Sequence, residues 1–142
     1  MTRNGSLLIV LFLVSSLYAG DKPGTQELEH KIENAHGGKK AELLLRLAHD
    51  NVEEADRLYH DGDTEKAFSL LKAASSSADQ ATVVSLDSGK RLKDTEIDLR
   101  KLSERTQAMR QEAAFEDRQP FDTCIQGLEQ DRSKLLDRMF KK

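Results

Sequence analysis

The sequence predicts an all-α fold of antiparallel helical hairpins that share one long or kinked central helix. Three observations carry this. Residues 64–115 hold no proline and only one glycine, Gly89, so almost nothing interrupts helix there. In the second half of that stretch Leu92, Leu99, Thr106 and Ala113 repeat every seven residues. Thr95, Leu102 and Met109 repeat the same way three positions on, which is the seam of a helix pressed against another helix. Beyond a short loop, Phe121, Ile125, Leu128, Arg132, Leu135 and Met139 alternate by four and three, so a last helix returns along that seam.

The chain opens with a targeting pattern over residues 1–19. Arg3 supplies the positive end, Leu7 to Val14 an unbroken apolar core, and Ser15 to Ala19 a polar exit of mostly small residues. Cleavage after Ala19 is expected. The uncharged run from Asn4 to Gly20 is short for a membrane span, which needs about 20 mainly apolar residues. The expected product is a protein exported to the periplasm or beyond the cell, with no stable membrane span after cleavage.

A single domain spans residues 20–142, with helices expected over 25–36, 39–60, 64–115 and 120–140. Thr25 is placed to cap the first, which carries Leu28, Ile32 and Ala35 on one face and ends at Gly37-Gly38. The second presents Leu44, Ala48, Val52, Ala55 and Tyr59 at spacings of three and four. At Asp61-Gly62-Asp63, glycine suits the left-handed closing residue and Asp63 the next cap. Gly89, beside Asp87-Ser88, marks the kink in the third helix, where glycine costs about 1 kcal/mol relative to alanine. Pro120 suits the first helical position of the last one, where its missing N–H costs nothing.

Composition limits the core. Loss of Arg3 would lower Lys+Arg from 22 to 21 against 25 Asp+Glu, moving the net charge from −3 to −4. After residue 19 the aromatics are Tyr59, Phe68, Phe115, Phe121 and Phe140, and there is no tryptophan. So thin an apolar supply suits long paired helices. On the outer face of 90–105, basic residues alternate with acidic ones (Lys93-Asp94, Glu104-Arg105), so no continuous positive stripe offers itself to nucleic acid. Glu96 and Arg100 stand in the favourable order of an i,i+4 pair. Arg132 is the polar member of its seam, and a stem with its guanidinium near a carboxylate is the expected arrangement.

The run from Ala55 to Ala67 (Ala-Asp-Arg-Leu-Tyr-His-Asp-Gly-Asp-Thr-Glu-Lys-Ala), with Ala74 seven further on, resembles the middle of a tetratricopeptide repeat. The resemblance covers positions near 48–79. It implies two helices turning at Gly62 and crossing at small residues. Asn51, Glu54 and Asp79 depart from that pattern, and no second copy follows. The stretches Lys90–Leu102 and Phe115–Pro120 are similar to small exported all-helical bacterial proteins with no assigned activity, which implies a shared fold.

No recognised catalytic constellation accompanies these helices. Cys124 is the only cysteine, which rules out an internal disulfide and a cysteine-based zinc site, and leaves a link between chains or a small apolar residue beside a seam. His30, His36, His49 and His60 share no helical spacing that would form a metal or haem face. Asp61, Asp63 and Glu65 alternate like the start of a calcium loop, but its glycine is absent, with Ala67 near that position, and Lys72 stands where its closing glutamate belongs. No phosphate-binding glycine loop or nucleophile elbow occurs. The expectation is therefore a non-enzymatic protein without cofactor or metal, a protein-interaction or assembly module of the cell envelope, with a holdase-type periplasmic chaperone as the alternative and an enzyme with an unrecognised site as the third reading. A homo-oligomer is compatible with it. Too few large apolar side chains remain to cover the outer faces of the 39–60 and 64–86 hairpin, which makes Tyr59, Phe68 and Leu71 the candidate docking residues; the opposing expectation is that the first helix seals them into the core.

Overall fold

At Gly62 the backbone enters the left-handed region, with φ 86°, and the chain reverses between two long helices. The computed structural model describes residues 23–141, and the expected targeting segment over 1–19 lies outside them. The elements are α1 (Pro23–Glu33), α2 (Gly37–His60), α3 (Thr64–Ser88), α4 (Leu92–Glu112), a 3-10 turn (Phe115–Asp117) and α5 (Arg118–Phe140). Among the described residues the fold is all-α.

The first hairpin is α2 against α3. Asp63 Oδ1 caps α3 by accepting from the Lys66 N–H at 3.3 Å, and the Asp63 N–H closes α2 on Leu58 O at 2.9 Å. Ala48, Val52 and Ala55 on α2 are buried, as are Ala67, Leu71, Ala74, Ala78 and Ala81 on α3. Alanine at these crossings lets the two backbones approach closely, so a thin apolar supply suffices.

The long helix expected over 64–115 is divided at its expected kink. Gly89 takes φ 67° and donates its N–H to Ser85 O at 2.9 Å, then Arg91 takes φ 59°. Two left-handed residues within three turn the chain back, and α4 starts at Leu92. A left-handed arginine costs about 1–2 kcal/mol. Its stem is packed against Gly38, where an added Cβ would meet Arg91 Cδ at 3.2 Å. Inside the reversal, buried Ser85 Oγ and Thr95 Oγ1 lie 2.8 Å apart.

The second hairpin is α4 against α5. Thr95, Leu99, Leu102, Thr106, Met109 and Ala113 are buried along α4, as their spacing required, while Leu92 is half-buried. On α5 the buried stripe is Phe121, Cys124, Leu128, Asp131 and Leu135, with Ile125, Arg132 and Met139 half-buried at its edge. The stripe is rotated from the expected one because α5 packs on α3 as well as on α4.

The hairpins lie side by side. Phe68 meets Phe121 at a centroid distance of 6.0 Å and Lys134 Nζ lies 3.5 Å from Asp79 Oδ1, so α3 and α5 run parallel. Arg91 Nη1 lies 3.7 Å from Glu42 Oε2 and Arg105 Nε 2.9 Å from Glu53 Oε1, so α2 and α4 also run parallel. α2 and α5 face each other across the diagonal, with no Cα pair within 8 Å. α1 lies on α2 and contributes buried Leu28 and Ile32.

Helix ends differ from expectation: α1 stops at Glu33, α4 at Glu112 with Phe115 in the 3-10 turn, and three starts are shifted. α1 spans Pro23–Glu33, so Thr25 lies inside it, two residues after its start. Gly37-Gly38 opens α2, with φ 54° at Gly37. Pro120 is the third residue of α5, still in the first turn, where the missing N–H has no helical partner to lose.

Candidate functional site

A groove of about 570 Å³ runs between α3 and α5. Its near end is apolar, formed by Phe68, Pro120 and Cys124. The middle is small and polar, lined by Ser75, Ser76, Thr123 and Gly127. A Cβ on Gly127 would come within 2.8 Å of Ser75 Oγ, so the absence of a side chain there sets how closely α5 approaches α3. The far end is charged, with Asp79, Asp131 and Lys134.

Phe68 belongs to an aromatic cluster at the turn end of the bundle. Phe121, fully buried on α5, stands edge-on to both Tyr59 (5.6 Å) and Phe68 (6.0 Å), and the Tyr59 and Phe68 rings lie 6.2 Å apart. The Tyr59 hydroxyl donates to Asp117 Oδ2 at 2.8 Å and accepts from the Ala114 N–H at 3.0 Å. One side chain thus ties α2 to the loop between α4 and α5. Burial raises the Tyr59 pKa above the usual tyrosine value, and the Asp117 carboxylate adds to the shift.

Of the three expected docking residues, Leu71 is 1% exposed and lies in the core. Its stripe, Ala67, Leu71, Ala74 and Ala78, faces inward because α3 is covered by α2 on one side and α5 on the other. Tyr59 and Phe68 are half-buried, and it is Phe121 from α5, not α1, that packs against their rings. Phe68 alone of the three lines the groove.

At the far end a buried carboxyl sits beside charged neighbours. Asp131 is 3% exposed, and burial pushes its carboxyl up to about 6 against the pull of Lys134 Nζ at 3.1 Å, with Asp79 raising it further. Asp131 therefore keeps its proton to higher pH than an exposed aspartate does. Burial pushes the Cys124 thiol up to about 11, which suppresses the reactive thiolate.

On the opposite edge, Arg105 joins Glu53 (2.9 Å) and Asp56 (2.8 Å), binding α4 to α2. His60 Nδ1 contacts the Asp56 backbone oxygen at 2.8 Å, which raises its pKa, and Nε2 lies 3.7 Å from Glu112. His49 is shifted down by burial. Asp63 is spent on its cap, and Asp61 on Arg57 at 2.7 Å. Among the described residues no group of three or more His, Cys, Asp or Glu is arranged to hold a metal ion.

Asp79, Gly127, Asp131 and Lys134 were missed by reasoning from sequence. A signal for Asp131 existed: positions 121, 124, 128, 131 and 135 also alternate by three and four, but their two polar or weakly apolar members made the neighbouring stripe look cleaner.

No family model matches the chain, and neither a curated protein nor a solved structure does. The chemistry of the groove is therefore read from its own residues.

Proposed function

We propose that the protein is an exported helical module that binds another envelope protein along the α3–α5 groove and carries out no catalysis. The observation that carries this is the groove itself, apolar at Phe68 and Pro120, small in the middle and charged at its far end. That order suits an amphipathic helix with one large apolar anchor, small residues at the crossing, and a charged residue near Lys134 and Asp79. Export rests on Arg3 and the Leu7–Val14 core. The tetratricopeptide-like reading of 48–79 draws support from the α2–α3 hairpin, which turns at Gly62 and crosses at Ala48, Ala55, Ala67 and Ala74. A holdase would use apolar arms open to solvent, whereas these two hairpins bury their inner faces against one another.

Site-specific photocrosslinking tests the reading. A crosslinking side chain at exposed Ser76 or Thr123 samples the groove, and one at exposed Lys101 samples the outer face of α4. Both groove positions should trap the same envelope protein, and Lys101 should not. Lys72→Glu, on the exposed rim, should abolish the product without disturbing the fold. Equal trapping from Lys101, or a product that survives Lys72→Glu, overturns the assignment.

A further inference from the structure

The two ends of the bundle carry opposite charge. The starts of α2 and α4 and the ends of α3 and α5 meet at one end. Its residues 34–42, 87–94 and 137–141 hold seven Lys or Arg against four Asp or Glu. The other end, residues 57–66 and 110–122, holds four Lys or Arg against seven Asp or Glu. A net charge of +3 therefore faces −3 across the length of the bundle, although the whole chain is acidic. At the basic end Lys90, Lys93 and Arg138 are exposed and have no ion-pair partner among the described residues.

Exposed apolar side chains gather in the same half. Of the four large apolar side chains exposed among the described residues, Val83 (46%), Leu136 (36%) and Phe140 (76%) lie in the last turns of α3 and α5. The fourth, Phe115, sits at the acidic end under the Arg118 guanidinium, 5.8 Å from its ring centroid. Phe140 has no such cover: it is the last helical residue of α5, followed by Lys141. In addition, α2 and α4 both begin here with no side-chain cap, so first-turn N–H groups point outward.

We infer that this end is a peripheral docking face for an anionic phospholipid surface, with Phe140 and Leu136 entering the interface and Lys90, Lys93, Arg138 and Lys141 meeting the headgroups. Amphipathic contact of this kind needs apolar area and basic charge on one face, and among the described residues this end of the bundle has both. The acidic end is repelled by the same surface, so the charge separation orients the molecule before contact. The α3–α5 groove runs along the side of the bundle and stays open to a partner in that pose, so lipid attachment and groove binding can each fail without the other.

Cosedimentation of the full chain with vesicles tests it. Vesicles containing phosphatidylglycerol should bind more tightly than pure phosphatidylcholine, and raised salt should remove the difference. Each positive charge lost near the surface should weaken binding about fivefold, so Lys93→Glu or Lys141→Glu, each a change of two charges, should weaken it about 25-fold. The Phe140 ring stands in solvent and holds no part of the core, so Phe140→Ser should spare the fold and weaken binding roughly tenfold. Lys101→Glu, the same charge change away from this end, should leave binding unchanged. Equal affinity for the two vesicle types would assign attachment to the apolar Leu7–Val14 segment and overturn the inference. So would an effect of Lys101→Glu as large as that of Lys141→Glu, or binding of an acidic polypeptide at this end with none to vesicles.

Discussion

Arg132 Nη2 lies 2.7 Å from Glu96 Oε1 and joins α5 to α4 in the seam of the second hairpin. Glu96 is 9% exposed, and the guanidinium also holds Glu129 at 2.9 Å. The local pair expected from sequence, Glu96 with Arg100, does not form: Glu96 turns inward to α5 and Arg100 stays in solvent. A long-range partner inside the seam is less screened than an exposed i,i+4 partner, and it wins.

Removing one member of this pair leaves the other in a place built for both. Glu96→Ala should therefore lower stability by about 1–3 kcal/mol, moderated because Arg132 keeps Glu129. Replacing both residues by methionine should recover most of the loss, since apolar side chains of similar volume suit the seam. Denaturant melts of the single and double variants check this; a double variant less stable than either single one would mean that the ion pair itself holds the hairpin.

Tyr59→Phe removes one hydroxyl and two hydrogen bonds, to Asp117 and to the Ala114 N–H, while keeping the ring against Phe121. Its cost should be about 1–2 kcal/mol, at the sum of two ordinary bonds. Amide hydrogen exchange should rise at residues 113–118, where the loop loses its anchor, and stay unchanged in the α2–α3 turn. Unaltered exchange at Ala114 would show that the hydroxyl does not restrain the loop.

Asp131→Asn tests the buried carboxyl. With its pKa raised to about 6 from an ordinary 3.8, the native state holds its proton more tightly than the unfolded chain does. The resulting stability is fully present below about pH 4 and is lost as pH rises through about 6. Asparagine, always neutral, should therefore leave stability at pH 4 nearly unchanged and raise it at pH 8 by about 1–3 kcal/mol, the upper end reduced by loss of the Lys134 ion pair. Thermal melts at both pH values give the comparison. A larger gain at pH 4 than at pH 8 would reverse the assigned direction.

What the sequence made legible was local. The cap at Asp63, the reversal at Gly62 and the seam from Thr95 to Ala113 each follow from residues close together in the chain, and each is present, while at Gly89, where a kink is expected, the chain reverses. The placement of α3 beside α5 was not legible, because the residues that decide it act across more than 50 positions: Gly127 against Ser75, Phe121 against Phe68, Lys134 against Asp79. That packing buries Leu71 and makes the groove that Phe68 lines. Distance in sequence also hides why Arg91, which nothing in its own neighbourhood favours in a left-handed conformation, is held there against Gly38.

Gly127 gives the sharpest test of the α3–α5 packing. Alanine in the middle of a helix is favoured over glycine by about 1 kcal/mol, so on local grounds Gly127→Ala should stabilise α5. Against this, the new Cβ would stand 2.8 Å from Ser75 Oγ, closer than side chains pack, and either α5 or Ser75 must shift. Overpacking of this kind costs about 1–3 kcal/mol, so the single variant should be neutral to destabilising by about 2 kcal/mol. Ser75→Ala removes the Oγ that collides. In that background the steric cost falls away, and Gly127→Ala should become stabilising by about 1 kcal/mol. Denaturant unfolding of the four proteins in this cycle measures the coupling directly. A gain from Gly127→Ala that is the same with and without the Ser75 hydroxyl would mean that α3 and α5 do not meet at this point, and the groove between them would lose its narrow centre.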